Sequence, residues 1–485
     1  MNRPWSCDSF VAAPDATADG AMLFGKNSDR PAGECQPLRY WPRRDTQPGA
    51  RIQLAYLEIP ETDHAWAHLG ASPYWCWGHE LGLNEWGVAI GNEALFTRDL
   101  AEAVAAVRTG RGQPACGLLG MELVRLGLER ATTAAEAATV MTDLLTTYGQ
   151  WGAGVAGQPI DVGAYDNSYL VADPRTAWVL ETSGRRWVAR EITTGTYAIS
   201  NQATIRSQWD RSSIDIVEHA TSAGWWPDQT EMRFDFARAY SDPGTSLQAS
   251  QVRLQRARQL LSAAAVGRGG VGYSDAAGIL RDHYEGTFLG GPYFSAGLPD
   301  FLTLCMHESP AGFTWGNTAS SALMHLPAAP DRLPHMWWAA ATPCTSVYIP
   351  VFPAATEVPE SLARPAAPKH PPTPEQVAPA EFDRQSYWWQ FQQLLERING
   401  GSQAWRFNDR QPVARAAFDE LEQRWRRELP DVERRAAALL AAGDDHGRTI
   451  LADFTRACTN EALHKCAELA AEFAPAESEA EPTRR

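Results

Sequence analysis

Cys7–Ala13 reads Cys-Asp-Ser-Phe-Val-Ala-Ala, and residues 22–29 read Met-Leu-Phe-Gly-Lys-Asn-Ser-Asp. Between them, Asp15 to Gly20 reads Asp-Ala-Thr-Ala-Asp-Gly. Two β-prone runs around an Asp-Gly turn signal predict a hairpin. The hairpin brings Cys7 to the same end of the sheet as Lys26, Asn27 and Asp29. A thiol beside a cation and a carboxylate is a candidate nucleophile; a buried strand cysteine is the plainer alternative. Of 43 basic residues only Lys26, Lys369 and Lys465 are lysines, so position 26 stands out in a chain that otherwise uses arginine.

The remaining composition narrows the field. At 485 residues the chain can hold two or three domains, or one α/β core with extensions. A net charge of -15 argues against a nucleic-acid surface. No apolar run reaches the length of a membrane span, and residues 1–6 are too short and polar for a signal peptide. The eight cysteines show no paired or zinc-type spacing, so reduced thiols in a cytoplasmic protein are expected. Phosphate-loop, dinucleotide and His-x-x-x-His patterns are absent, and neither a cofactor nor a metal is expected.

Along the chain, 52–59 and 88–92 read as strands, the second ending at Asn92. Helical periodicity follows at 117–131, and Thr133 with Glu136 predicts a cap for a second helix reaching 148. Residues 168–172, 177–181, 187–192 and 197–200 predict an antiparallel meander whose last strand delivers Asn201. Helices are expected over 212–223, 233–240, 246–265 and 274–284, and strands over 301–306, 319–325, 336–341 and 345–352. Two sheets with two helical layers suggest an α+β, four-layer αββα sandwich over residues 7–355. The Pro-rich stretch 356–380 reads as a linker, 381–473 as a helical extension with helices at 382–398, 411–428 and 432–472, and 474–485 as a disordered tail.

None of the eleven histidines has an evident place beside Cys7. Removal of a leader, residues 1–6, would give Cys7 a free α-amine with a pKa of about 8, which can serve as its own base. Asn92 and Asn201 are turn residues or hydrogen-bond donors to an oxyanion.

The runs Cys-Asp-Ser-Phe-Val-Ala, Phe-Gly-Lys-Asn-Ser-Asp-Arg-Pro, Trp-Gly-His-Glu-Leu-Gly-Leu-Asn-Glu-Trp-Gly-Val and Gly-Asn-Glu-Ala resemble the secernins, as do Ala-Trp-Val-Leu-Glu-Thr, Ile-Ser-Asn-Gln and Ser-Val-Tyr-Ile-Pro. Those proteins belong with the N-terminal-nucleophile cysteine dipeptidases, related to penicillin V acylases and bile-salt hydrolases. The resemblance implies an N-terminal-nucleophile hydrolase fold, leader removal and hydrolysis of a small peptide or amide without a cofactor. It implies Cys7 as nucleophile and amine base, Lys26 at the acylases' arginine position and Asp29 at their aspartate. Asn92 and Asn201 match the asparagines that support the amine and oxyanion. Arg253 is the preferred match for the last arginine, with Arg256 second. Lys26 departs from the acylases, which have arginine there, and His79 stands where the secernins carry a small residue. A dipeptidase is the expected function. The alternatives are an acylase or acyltransferase on a non-peptide amide, or a non-catalytic interaction protein; no nucleic-acid or membrane partner is expected, and a homo-oligomer is compatible with the helical extension.

Overall fold

Strands β1 (Cys7–Ala12) and β2 (Met22–Pro31) pair antiparallel, with Cys7 opposite Ser28 and Ala12 opposite Leu23. The reversal between them is not a two-residue turn. A short 3-10 turn, Pro14–Ala16, precedes Gly20, whose φ of +75° is open to glycine at little cost. The computed structural model describes residues 6–474 apart from 113–115, 229–231, 246–247, 268, 291–293, 300, 310–313, 315 and 369–370. The expected leader, other than Ser6, and the expected tail beyond 474 lie outside the described residues.

β1 and β2 occupy the middle of a six-stranded antiparallel sheet, ordered Thr196–Ile199, β1, β2, Gly316–Leu326, His335–Ala340, Ile349–Val351. A central strand is covered on both faces, which is why every β1 side chain is buried. The facing eight-stranded sheet runs Arg211–Ser212, Arg186–Ile192, Ala177–Ser183, Asp166–Ala172, Ala89–Leu95, Leu81–Asn84, His68–Ala71, Leu38–Trp41. Val11, Met22 and Phe24 of one sheet share an apolar core with Leu69, Leu81, Leu170 and Val179 of the other. Helices Gly120–Arg130 and Ala134–Tyr148 lay Val124, Leu128, Met141 and Leu145 on the outer face of the eight-stranded sheet, against Ile90, Tyr169 and Leu180. Helices Gln248–Val266 and Tyr273–Leu280 pack on the six-stranded sheet. The result is the α+β, four-layer αββα sandwich.

Several local expectations are corrected. Residues 52–59 are a small hairpin, Arg51–Gln53 with Glu58–Pro60, instead of one strand. The 301–306 segment forms no strand, while a helix at Arg98–Arg108 was not legible in the periodicity. The strand expected to end at Asn92 continues from Ala89 to Leu95, paired through Leu95 with Asp166. The four-strand meander divides: its first three strands stay in the eight-stranded sheet, and Thr196–Ile199 crosses over to pair with β1. Gly195, at φ +74°, makes the crossing, its carbonyl accepting from Ala13 N at 2.8 Å.

After the sandwich, the Pro-rich stretch lies along the molecule, where Arg39 Nη2 reaches Pro365 O at 2.8 Å and Tyr56 Oη donates to Glu375 at 2.8 Å. Three helices follow: Tyr387–Asn399, Phe407–Ala441 and His446–Glu472. The break expected near Pro430 falls instead after Ala441, where Gly443 adopts a φ of +76°. Trp388, Phe391, Phe418 and Leu451 of these helices join the core of the six-stranded sheet. No helix among the described residues is long and apolar enough to cross a membrane.

Candidate active site

Alternation along β1 points Cys7 and Ser9 to the facing sheet and Asp8 to the covering helix. On the helix side, Arg253 of Gln248–Val266 is fully buried and ion-paired to Asp8. The same guanidinium donates to Cys7 O at 3.0 Å and to Asn201 Oδ1 at 2.7 Å. Asn201 Oδ1 also accepts Cys7 N–H at 2.9 Å, and Asn201 Nδ2 is tied to Ala94 O at 3.0 Å. Arg256, the second candidate, is engaged elsewhere, with Asp282 at 2.6 and 2.9 Å.

The Cys7 thiol rests on β2: Asp29 N–H points to Sγ at 3.4 Å. Asp29 Oδ1 accepts from Thr318 Oγ1 at 2.6 Å, and the ladder between β2 and Gly316–Leu326 is irregular between Thr318 and Ser320. Such a bulge re-aims a side chain that regular pairing would turn elsewhere. Burial pushes the Asp29 carboxyl up to about 6, with Arg253 pulling against it and Asp8 adding to it. Asp8 is likewise raised to about 6 by burial, against the attraction of Arg253.

Inside the sandwich, Lys26 is completely buried, donating to the carbonyl of Asn92 and to Glu93 Oε1 at 3.3 Å. Its stem fills the space left by Gly91: a Cβ there would stand 2.5 Å from Lys26 Cδ. Ser9 Oγ donates to the same Glu93 oxygen. Burial disfavours the Lys26 ammonium, but the negative charge of a Cys7 thiolate, Glu93 and Glu80 would each favour it, and the net direction is above the ordinary lysine value. Burial pushes the Cys7 thiol up, and Lys26 only partly offsets this. Burial thus favours the protonated thiol over the thiolate.

Asn92 is placed differently from the expectation. Alternation sends Glu93 to Lys26 and turns the Asn92 side chain to Asn167, 3.0 Å away, and to Glu80. Its amide is oriented with NH2 3.1 Å from both Glu80 O and Oε2. Asn92 thus meets Lys26 through its backbone. His79 is walled off in a buried stack, its Nε2 3.0 Å from His68 Nε2 and its Nδ1 2.7 Å from Ser72. Among the described residues, none of Cys7's hydrogen-bond partners is a histidine. Trp75, Trp77 and Trp86, close in sequence, lie in three different environments. Arg125 covers the face of Trp77 at 3.8 Å, Trp75 is buried beside Met121, and Trp86 lies at the surface against Trp66.

The site therefore gathers Cys7, Lys26, Asp29, Asn201 and Arg253, with Asn92 joined to it by its carbonyl on Lys26 and its amide beside Glu80, and the structure adds Asp8, Ser9, Glu93 and Thr318. Asp8 and Glu93 adjoin residues singled out in the sequence, but only three-dimensional pairing shows which cation each one meets.

The fold is an αββα sandwich with a thiol at the start of a strand inside its six-stranded sheet. The model of peptidase family C69 matches residues 6–257, more than half of the chain, and the chain belongs to that family of amide-bond hydrolases. Among solved structures, it is similar to a variant of the conjugated bile acid hydrolase from Clostridium perfringens, at 12% identity over 69% of this chain and 89% of that one, with a TM-score of 0.36. It is also similar to the Caenorhabditis elegans ortholog of N-acylethanolamine-hydrolyzing acid amidase, at 12% identity over 67% and 94%, with a TM-score of 0.29.

Proposed function

We propose that this protein is a cysteine dipeptidase in which Cys7, freed by hydrolysis of the Ser6–Cys7 bond, supplies both nucleophile and base. The observation that carries this reading is the position of Cys7 N, 2.9 Å from Asn201 Oδ1. After cleavage an α-amine stands where that amide N–H stands now. An α-amine has a pKa of about 8, so at neutral pH a usable fraction is unprotonated. It accepts the Sγ proton, and the sulfur attacks the carbonyl carbon of the scissile amide. The resulting α-ammonium, oriented by Asn201, returns the proton to the leaving amine as the C–N bond breaks. This leaves a thioester on Cys7. Water, deprotonated by the same amine, attacks that thioester; the acid product leaves and the thiol is restored.

Asp29 stabilises the ammonium, Arg253 holds Asn201 and the Cys7 carbonyl, and Lys26 places positive charge near the sulfur. Asn92 is assigned to the oxyanion, a role that requires its NH2 to leave Glu80. Cys7, Cys35, Cys76, Cys305, Cys344, Cys458 and Cys466 are free thiols, which suits a reducing compartment such as the cytoplasm.

Intact-mass measurement of the purified protein, followed by a panel of dipeptides and acyl amides, tests this reading. The expected result is an N-terminal Cys7 and dipeptide turnover that Cys7→Ala abolishes. Stable protein retaining residues 1–6, or equal turnover by native and Cys7→Ala proteins, overturns it. Turnover of acyl amides alone would move the assignment to an acylase.

A further inference from the structure

Outside the hydrogen-bond partners of Cys7, four side chains from three separate stretches converge. His283, Cys305, His307 and Cys344 are all buried, and their ligating atoms lie within 4.8 Å of one another. His283 Nε2 is 3.2 Å from His307 Nε2, and His307 Nε2 is 3.2 Å from Cys344 Sγ and 3.7 Å from Cys305 Sγ. A tetrahedral zinc ion binds nitrogen at about 2.0–2.1 Å and sulfur at about 2.3 Å, which sets nitrogen–nitrogen edges of about 3.3 Å and nitrogen–sulfur edges of about 3.6 Å. The three edges at His307 Nε2, 3.2, 3.2 and 3.7 Å, are close to these, and no two ligand atoms are more than 4.8 Å apart.

We propose that His283, Cys305, His307 and Cys344 form a structural Zn2+ site. Two neutral imidazoles and two thiolates around Zn2+ make a neutral centre, which a buried position tolerates. Binding releases two protons, one from each thiol, and changes no oxidation state. Four protein ligands complete the tetrahedron and leave no open position for a substrate, so the role is structural. The surroundings match. His283 Nδ1 is held by Glu285 at 2.9 Å, which aims Nε2 at the cluster in the manner of a carboxylate–histidine–zinc arrangement. Gln411 Nε2 donates to Cys344 O at 2.9 Å. A cleft lined by His283, Glu285, Cys344, Phe407 and Gln411 gives the ion a path in.

The site would staple the strandless segment 301–309 to the sandwich. Met306, between two of the ligands, accepts from Ser6 Oγ at 3.3 Å through its sulfur. Its backbone exchanges hydrogen bonds with Thr318, which in turn holds Asp29. The metal thereby supports the wall against which the Ser6–Cys7 bond rests. The cysteine spacing hides such a site because Cys305 and Cys344 are far apart in sequence and their partners are histidines on loops.

The test is elemental analysis of the full-length chain expressed with added zinc and then desalted. One zinc per chain is expected, falling at least tenfold in Cys344→Ser and His307→Ala but not in Cys458→Ser. Because a ligand variant can fail to fold, native protein stripped with a chelator is also titrated with Co2+. Thiolate-to-cobalt charge transfer together with the intense visible bands of tetrahedral cobalt is expected. Zinc-free native protein that gives no such bands overturns the proposal. So does zinc retained by the ligand variants, or a non-reduced mass showing Cys305 and Cys344 joined as a disulfide.

Discussion

Asn201 Oδ1 accepts the backbone N–H of Cys7 at 2.9 Å although the two residues are 194 positions apart in the chain. The contact exists because the strand before Asn201 leaves the eight-stranded sheet and pairs with β1. The same oxygen also takes Arg253 Nη2 at 2.7 Å, so one carbonyl orders the nucleophile's nitrogen and a buried cation. Asn201→Ala leaves both donors without an acceptor. A stability loss of about 1–3 kcal/mol is expected, with a fall in kcat/KM of roughly a hundredfold from misplacement of the amine. Urea melts and steady-state kinetics on a cleaved dipeptide check both numbers; unchanged kinetics would remove Asn201 from the site.

The two carboxyls near Cys7 give a pH signature. Asp8 and Asp29 sit at about 6 in the fold, raised chiefly by burial, against an ordinary value of 3.8. Between these values the folded chain keeps protons that the unfolded chain has released. Their contribution to stability is thus fully present below pH 3.8 and is lost as pH rises through about 6. Activity has the opposite sign, because an ionised Asp29 is needed beside the ammonium: kcat/KM should climb across pH 6. Denaturant midpoints measured from pH 4 to pH 7 should fall less in Asp29→Asn than in the native protein; an identical slope would exclude Asp29 as one of the two groups.

Lys26 and Glu93 form a fully buried pair 3.3 Å apart. Removing one partner strands the other charge, so Lys26→Met should cost about 3–5 kcal/mol. Lys26→Arg keeps the charge but brings a broad planar head into space shaped by Gly91. Gly91→Ala attacks the same contact from the other side, its new Cβ meeting Lys26 Cδ at 2.5 Å. All three variants should lower thermal midpoints, and Gly91→Ala should reduce turnover without altering any charged group. Native turnover in Gly91→Ala would separate Lys26 from the chemistry.

Local signals in the sequence reach most of this architecture. Cys7, Lys26 and Asp29 were legible together because a hairpin is short-range and its strands read clearly. Asn201 was legible as a residue at a strand end, but not its partner: the change of sheet at Gly195 leaves no mark on a period-two pattern. Asn92 shows the limit of local reading most clearly. Its strand continues past it, and whether the side chain meets Lys26 or Asn167 depends on which face of Ala89–Leu95 looks inward. The metal-type cluster was invisible to cysteine arithmetic, since convergence of His283, Cys305, His307 and Cys344 is a product of tertiary packing.

The C-terminal helices offer a prediction about the whole fold. Glu422 of Phe407–Ala441 is buried where it accepts from Arg281 at 2.6 Å, Arg415 at 3.1 Å, Tyr273 Oη at 3.1 Å and Tyr348 N at 2.9 Å. Arg281 and Tyr348 belong to the sandwich, so one carboxylate joins the helices to it. Glu422→Ala leaves buried Arg281 with only the longer 3.8 Å carboxylate contact to Asp419 and should cost about 3 kcal/mol. Glu422→Gln keeps the shape and an acceptor, and should lose less. Ending the chain at residue 380 removes Trp388, Phe391 and Leu451 from the shared core and bares the sheet beneath them. Apolar area exposed on that scale favours association, so the shortened chain should be recovered as aggregate. A soluble, cooperatively melting 1–380 protein would show instead that the sandwich stands without its helices.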